Sequence, residues 1–138
     1  MEERQTKIYL DETFGNKFSK AFISLNSFCK SVTSTEVNSI KNRFNQGVPD
    51  EVWIPSLGKE NAVVITQDNQ IYLRDDQRRL YKDSGLNIIF FEKNKKINHC
   101  NLVQTLTKKW DKIIELSQNE EHFAYKYSFS KKRFTKLD

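Results

Sequence analysis

Two stretches of this chain leave water almost nothing to solvate. Ala62-Val63-Val64-Ile65-Thr66 is uninterrupted and mostly β-branched, and Ile88-Ile89-Phe90-Phe91 is wholly apolar. A strand with one wet face alternates apolar and polar residues. A strand without alternation is covered on both faces, as in parallel sheets. Between the two stretches, Arg74 to Asp83 reads as a charged helix closed by Ser84-Gly85. Covered strands alternating with helices make βαβ units. The expected fold class is therefore α/β, three-layered, with a central mainly parallel sheet and helices on both faces.

The rest of the chain fits the same alternation. Ile8-Tyr9-Leu10 is a short strand ending at Asp11. Phe14, Phe18, Ala21, Phe22, Leu25 and Phe28 recur at helical spacing, with Lys17 and Lys20 off that face. A weaker strand is expected near Ser31 to Thr35, then a short helix to Phe44. Gly47-Val48-Pro49 breaks the chain, and Asp50 opens a helix containing Val52, Trp53 and Leu57 and closed by Gly58. Leu102, Val103, Leu106, Trp110, Ile113, Ile114 and Ser117 mark the inner stripe of one long helix. Phe123, Tyr125, Tyr127 and Phe129 alternate as on an edge strand. Those aromatics could stack bases, but the core face of a strand explains them more simply.

With 138 residues the chain has the length of one domain, read as 1–138 with a basic C-terminal tail from about residue 126. No apolar run approaches membrane-spanning length, and Met1-Glu2-Glu3-Arg4-Gln5 does not open like a secretory signal. Cys29 and Cys100 lack paired spacing, which points to reduced thiols and a cytoplasmic protein. His99 and His122 share no ligand spacing with each other or the cysteines, which argues against zinc. No glycine-rich phosphate loop ending in Lys is present, which argues against a nucleoside triphosphatase. The charge of +5 is uneven. The last thirteen residues carry Lys126, Lys131, Lys132, Arg133 and Lys136 against Asp138 alone, and the other 125 residues hold 18 basic and 17 acidic groups. A basic segment on a near-neutral body suits a polyanionic partner, and also suits a merely solubilising terminus.

In sheets of this kind, function gathers at the carboxyl ends of the strands, where strand order reverses. That rule selects Asp11, which directly follows the first strand, and Asp68, two residues beyond Thr66. Clustered carboxylates stay ionised together only with a cation among them, and Mg²⁺ or Mn²⁺ suits oxygen ligands and retains waters for hydrolysis.

The order Ile8-Tyr9-Leu10-Asp11-Glu12, then Gly47-Val48-Pro49-Asp50-Glu51-Val52-Trp53-Ile54, then Val63-Val64-Ile65-Thr66-Gln67-Asp68-Asn69 resembles the PIN-like domain family. Gly85 to Phe91 is similar to that family's next strand. The resemblance, including to VapC-type toxin ribonucleases, implies sheet order 3-2-1-4-5 and Mg²⁺- or Mn²⁺-dependent cleavage of single-stranded or structured RNA. It also implies a toxin held by an antitoxin protein, with a homodimer as a further expectation. Asp11, Asp50 and Asp68 are then the catalytic and metal-binding acids, Glu12 a further ligand, and Thr66 the residue that fixes Asp68 or its turn. Glu51 is a first-turn acid favoured by the helix dipole. Arg78, Arg79, Lys131, Lys132 and Arg133 are the candidate RNA contacts. The family also places a Glu after its second strand. Only Glu36 could stand there, with Glu12 or Glu51 as substitutes. Two alternatives remain: a PIN-like module without activity that binds a protein or nucleic acid, and a receiver-type phosphoryl-transfer domain, for which Asp11-Glu12 fits but the later positions fit poorly.

Overall fold

Burial follows the sequence pattern. Every residue of Val63–Thr66 and of Asn87–Phe91 is buried, and both segments are central strands. The computed structural model describes residues 6–28, 35–45, 47–67, 74–119 and 122–137. Its strands are β1 (Thr6–Leu10), β2 (Thr35–Ser39), β3 (Val63–Thr66), β4 (Asn87–Phe91), β5 (Ala124–Ser128) and β6 (Arg133–Leu137), ordered β2-β1-β3-β4-β5-β6. The first five run parallel and β6 returns antiparallel on β5. As in the order 3-2-1-4-5, the first strand lies beside the second where the sheet reverses direction. Among the described residues no strand lies outside β2, and the sheet grows at its far edge by β6 instead.

Among the described residues the sheet is clothed by α1 (Asn16–Phe28), α2 (Ile40–Phe44), α3 (Asp50–Lys59), α4 (Asp75–Ser84), α5 (His99–Lys108) and α6 (Trp110–Asn119). Successive strand residues point to opposite faces. Ile8, Leu10, Val63, Ile65, Ile89 and Phe91 therefore meet Phe22 of α1, Leu102 and Leu106 of α5 and Ile113 of α6. Tyr9, Val64, Ile88 and Phe90 meet Ile40, Trp53, Ile54, Leu57 and Tyr81 on the other face. Among the described residues no helix is long and apolar enough to cross a membrane.

Four local expectations shift. The second strand runs from Thr35 to Ser39 and begins where it was expected to end; residues 31–34 lie outside the described residues. In α1 the inward stripe is Phe18, Ser19, Phe22 and Ile23, while Ala21 is exposed and Leu25 is 51% exposed, because the helix rests on the sheet by a narrow strip. The expected single long helix is two, α5 and α6. They part at Lys109, whose N–H bonds back to Thr105 O. Both still face one core, and Trp110 meets Phe22 edge-on at 4.6 Å. Finally, β5 is interior, not an edge: its Tyr127 is sealed by Phe134 of β6 at 5.0 Å. The basic C-terminal segment is thus largely a paired strand.

The helices α3 and α4 approach closely enough to dictate one residue. A Cβ on Gly58 would lie 2.1 Å from the backbone oxygen of Ser84. At the amino side of the sheet, Glu60 joins three elements. Its carboxylate takes Lys7 Nζ of β1 at 2.8 Å and Arg43 Nη2 of α2 at 2.6 Å, and Arg43 also donates to the buried Tyr9 hydroxyl at 2.6 Å. Arg43, and Lys7 after it, pull the Glu60 carboxyl down to about 2 from 4.5.

Gly58→Ala is expected to destabilise the fold by about 2–3 kcal/mol in urea unfolding, since backbone cannot yield as a side-chain tip can. For Glu60 the folded pKa lies below the unfolded one. Its stabilisation is therefore complete above pH 4.5 and is lost as pH falls toward 2. Glu60→Gln should cost about 1–2 kcal/mol at neutral pH, a modest figure because the pair is partly solvated. The variant's stability should also fall less steeply than the wild type's in acid, measured by thermal melts from neutral pH to pH 2.5.

Candidate active site

The carboxyl end of β1 is where the apolar strand must hand over to a polar loop, and Asp11 is the first residue there. Its N–H still bonds Ile65 O of β3 at 3.2 Å, so the residue is held by the sheet although it lies past the strand. Its side chain caps the short 3₁₀ turn Glu12–Phe14: Oδ1 accepts from Thr13 N at 2.9 Å and from Thr13 Oγ1 at 2.5 Å. Oδ2 accepts from Thr66 Oγ1. Thr66 is fully buried at the end of β3, so its hydroxyl has no solvent to turn to. Thr13 Oγ1 in turn accepts from Gln67 N at 3.3 Å. Two threonines thereby lock one carboxylate in rotamer and position. The expected partner of Thr66, Asp68, lies outside the described residues; within them Thr66 bonds Asp11, and Thr13 holds the backbone at Gln67.

Phe14 drives the turn into the core, meeting Phe91 edge-on at 6.3 Å. Gly15 follows at φ +81, a conformation that L side chains rarely adopt, and directs the chain into α1. The result is a cleft of about 220 Å³ at the carboxyl ends of β1 and β2, lined by Leu10, Asp11, Glu12, Gly15, Asn16, Ser19, Ser39 and Lys41. It sits where β1 is flanked by β2 on one side and β3 on the other, the reversal point of the sheet. Among the described residues, Asp11 and Glu12 are the acids that line it.

The other expected residues lie as follows. Asp50 is the first residue of α3, and its carboxylate accepts from Trp53 Nε1 at 3.0 Å and from Gln77 Nε2 of α4 at 2.8 Å. These bonds tie α3 to α4, and Asp50 does not line the cleft. Glu51 is exposed in the same first turn. Asp68 lies outside the described residues. Glu36 sits within β2 opposite Lys7, exposed and away from the carboxyl end. That end is occupied by Ser39, whose hydroxyl accepts from Asn42 N at 3.0 Å to cap α2. Among the described residues no group of three His, Cys, Asp or Glu could hold a metal. Arg78 pairs with Asp75 at 2.7 Å on the solvent side of α4, and Arg79 is exposed. Lys131 and Lys132 form the β5–β6 turn and Arg133 opens β6, all exposed. Deleting this segment would strip a strand from the sheet, so its charges are better probed by substitution.

Sequence reasoning passed over Ser19, Ser39 and Lys41. Nothing local marks them: Ser19 reaches the cleft from the first turns of α1, and Ser39 and Lys41 only because β2 lies beside β1.

The sequence signature described as PIN like domain matches residues 6–93, more than half the chain. The chain belongs to the PIN-like domain family. Members are generally nucleases that bind nucleic acid, usually with divalent metals, and the Asp11 end of β1 lies inside the matched region. Among curated proteins and among solved structures no match was found.

Removing the Thr66 hydroxyl should loosen this clamp. Thr66→Val, nearly isosteric, is expected to cost about 1.5–3 kcal/mol, the range for a hydrogen bond to a charged group, with Thr66→Ser retaining most of that bond. Urea unfolding of both variants is the measurement.

Proposed function

We propose that this protein is a metal-dependent endoribonuclease that cleaves single-stranded or structured RNA, acting as the toxin of a toxin–antitoxin pair. The observation that carries the reading is the Asp11 carboxylate, fixed by Thr13 and Thr66 at the carboxyl end of β1 beside an open cleft. Membership of a generally nucleolytic family supports it.

The donor set suits the ion. Mg²⁺ prefers oxygen, keeps several waters and is commonly held by one or two carboxylates plus substrate phosphate. Asp11 and Glu12 offer that chemistry in the cleft. Asp68, two residues along the chain from Thr66, is the third acid of the proposed set, and Asp50 acts directly or through water. A bound divalent cation supplies an acidified water and offsets charge on the phosphate. The chain's own work is positioning. Each Asp11 oxygen already accepts from a threonine, so the carboxylate does not rotate when a ligand arrives, and reorganisation is avoided. Arg78, Arg79, Lys131, Lys132 and Arg133 are proposed to hold the RNA backbone.

A second reading, a PIN-like binding module without cleavage, is favoured by one observation: β2 ends in Ser39 where the family carries an acid.

Purified protein should cleave single-stranded RNA with Mg²⁺ or Mn²⁺, leaving 5′-phosphate ends, and lose this in EDTA. Asp11→Asn and Asp68→Asn should each reduce the rate by about 100-fold or more and abolish weak Mn²⁺ binding in calorimetry. Expression without its antitoxin should arrest growth. Cleavage at full rate in a correctly folded Asp68→Asn protein would assign the activity to a contaminant and leave the binding module in its place.

A further inference from the structure

Beside its acids, the cleft lining carries the opposite chemistry. The helix α1 spans thirteen residues and begins at Asn16, on the cleft. Ser19 N bonds Gly15 O, so the amides of residues 16–18 precede the first intrahelical acceptor and their dipoles sum toward the opening. Ser19 also lines the cleft. It is only 4% exposed, and its hydroxyl has no hydrogen-bond partner among the described residues. Its bonding capacity is therefore directed into the cleft, where a ligand can use it. Across from it, Lys41 of α2 lines the same cleft, half-buried and in no ion pair among the described residues.

We propose that the amino end of α1, the Ser19 hydroxyl and the Lys41 ammonium form a seat for one internal phosphodiester of the bound nucleic-acid strand. The inference rests on the nuclease reading and deepens it by naming what grips the substrate in the cleft. An anion here accepts from Ser19 and from the α1 amides and is balanced by Lys41, while the charges of Asp11 and Glu12 in the same cleft repel it. That opposition sets how far a phosphate enters. It also gives the cleft a cationic group on the β2 side, where Ser39 stands in place of an acid.

Fluorescence anisotropy with a labelled single-stranded RNA in EDTA tests the seat without requiring cleavage. Lys41→Ala should weaken binding several-fold and lower the slope of log affinity against log salt by about 0.7, one lost phosphate contact. Lys41→Arg should restore the slope. Ser19→Ala should weaken binding about 2–10-fold, the span of one hydrogen bond, with the slope unchanged. Strands with and without a 5′-phosphate should bind alike; binding confined to the 5′-phosphorylated strand would overturn the internal assignment. Thermal melts check folding, and if Ser19→Ala melts low, the half-exposed Lys41 carries the test. Wild-type affinity and slope in Lys41→Ala, or no RNA binding by the wild type, would overturn the seat. A wild type that binds RNA with these dependences but never cleaves it would instead retire the nuclease reading and leave the seat standing.

Discussion

The strands β1, β3 and β4 are covered on both faces, and that double burial governs where polar chemistry can occur. Along their lengths nearly every side chain is apolar, because an unpaired polar group there would lose its water without recompense. Polarity is displaced to the ends. At the amino side, Glu60, Arg43 and Lys7 form an ion-paired clip with Tyr9. At the carboxyl side, the Asp11 carboxylate is spanned by Thr13 and Thr66. Both assemblies join β1 to a neighbour, but they differ in kind. The clip is saturated, each charge facing its opposite. The carboxyl end keeps an open cleft with two acids and an unused hydroxyl.

Much of this was legible from residue order. The uninterrupted runs at Val63 and Ile88 announced doubly covered parallel strands. Asp11 stood out because it is the first residue after an apolar run, and Gly85 ended α4 as a left-handed C-cap should. What escaped depends on distance in space. Ser39 and Lys41 have no distinguishing neighbours; register with β1 alone brings them to the cleft. The bond from Thr66 to Asp11 was hidden as well, because sequence shows near neighbours and not those the sheet brings together. The break between α5 and α6 was invisible because an apolar stripe persists across it, and periodicity records which face is buried, not whether the axis is continuous.

The C-terminal strands answer a packing need beyond the family-matched region. Phe91 ends β4 with its ring against Tyr127, Phe129 and Phe134. Without β5 and β6 the β4 edge, and the ring that also braces Phe14 under the cleft, would face water. The basic charge there therefore sits on residues with a structural duty, and Arg133 and Lys136 also line an open sheet edge, where like charge discourages pairing with another copy.

The bond between Asp11 and Thr66 joins residues 55 apart in the chain. The strand β1 lies inside the sheet, and both its neighbours follow it in the chain. During translation, then, Asp11 emerges ahead of β3 and lacks its Thr66 partner until β3 has been made and docked. Closing so long a loop is entropically unfavourable on its own, so the contact forms with the cooperative collapse of the sheet. Local loosening of either strand end dissolves it again. The site therefore has no existence apart from the completed fold, and a nascent or partly opened chain carries the same residues without the geometry that would make them act together.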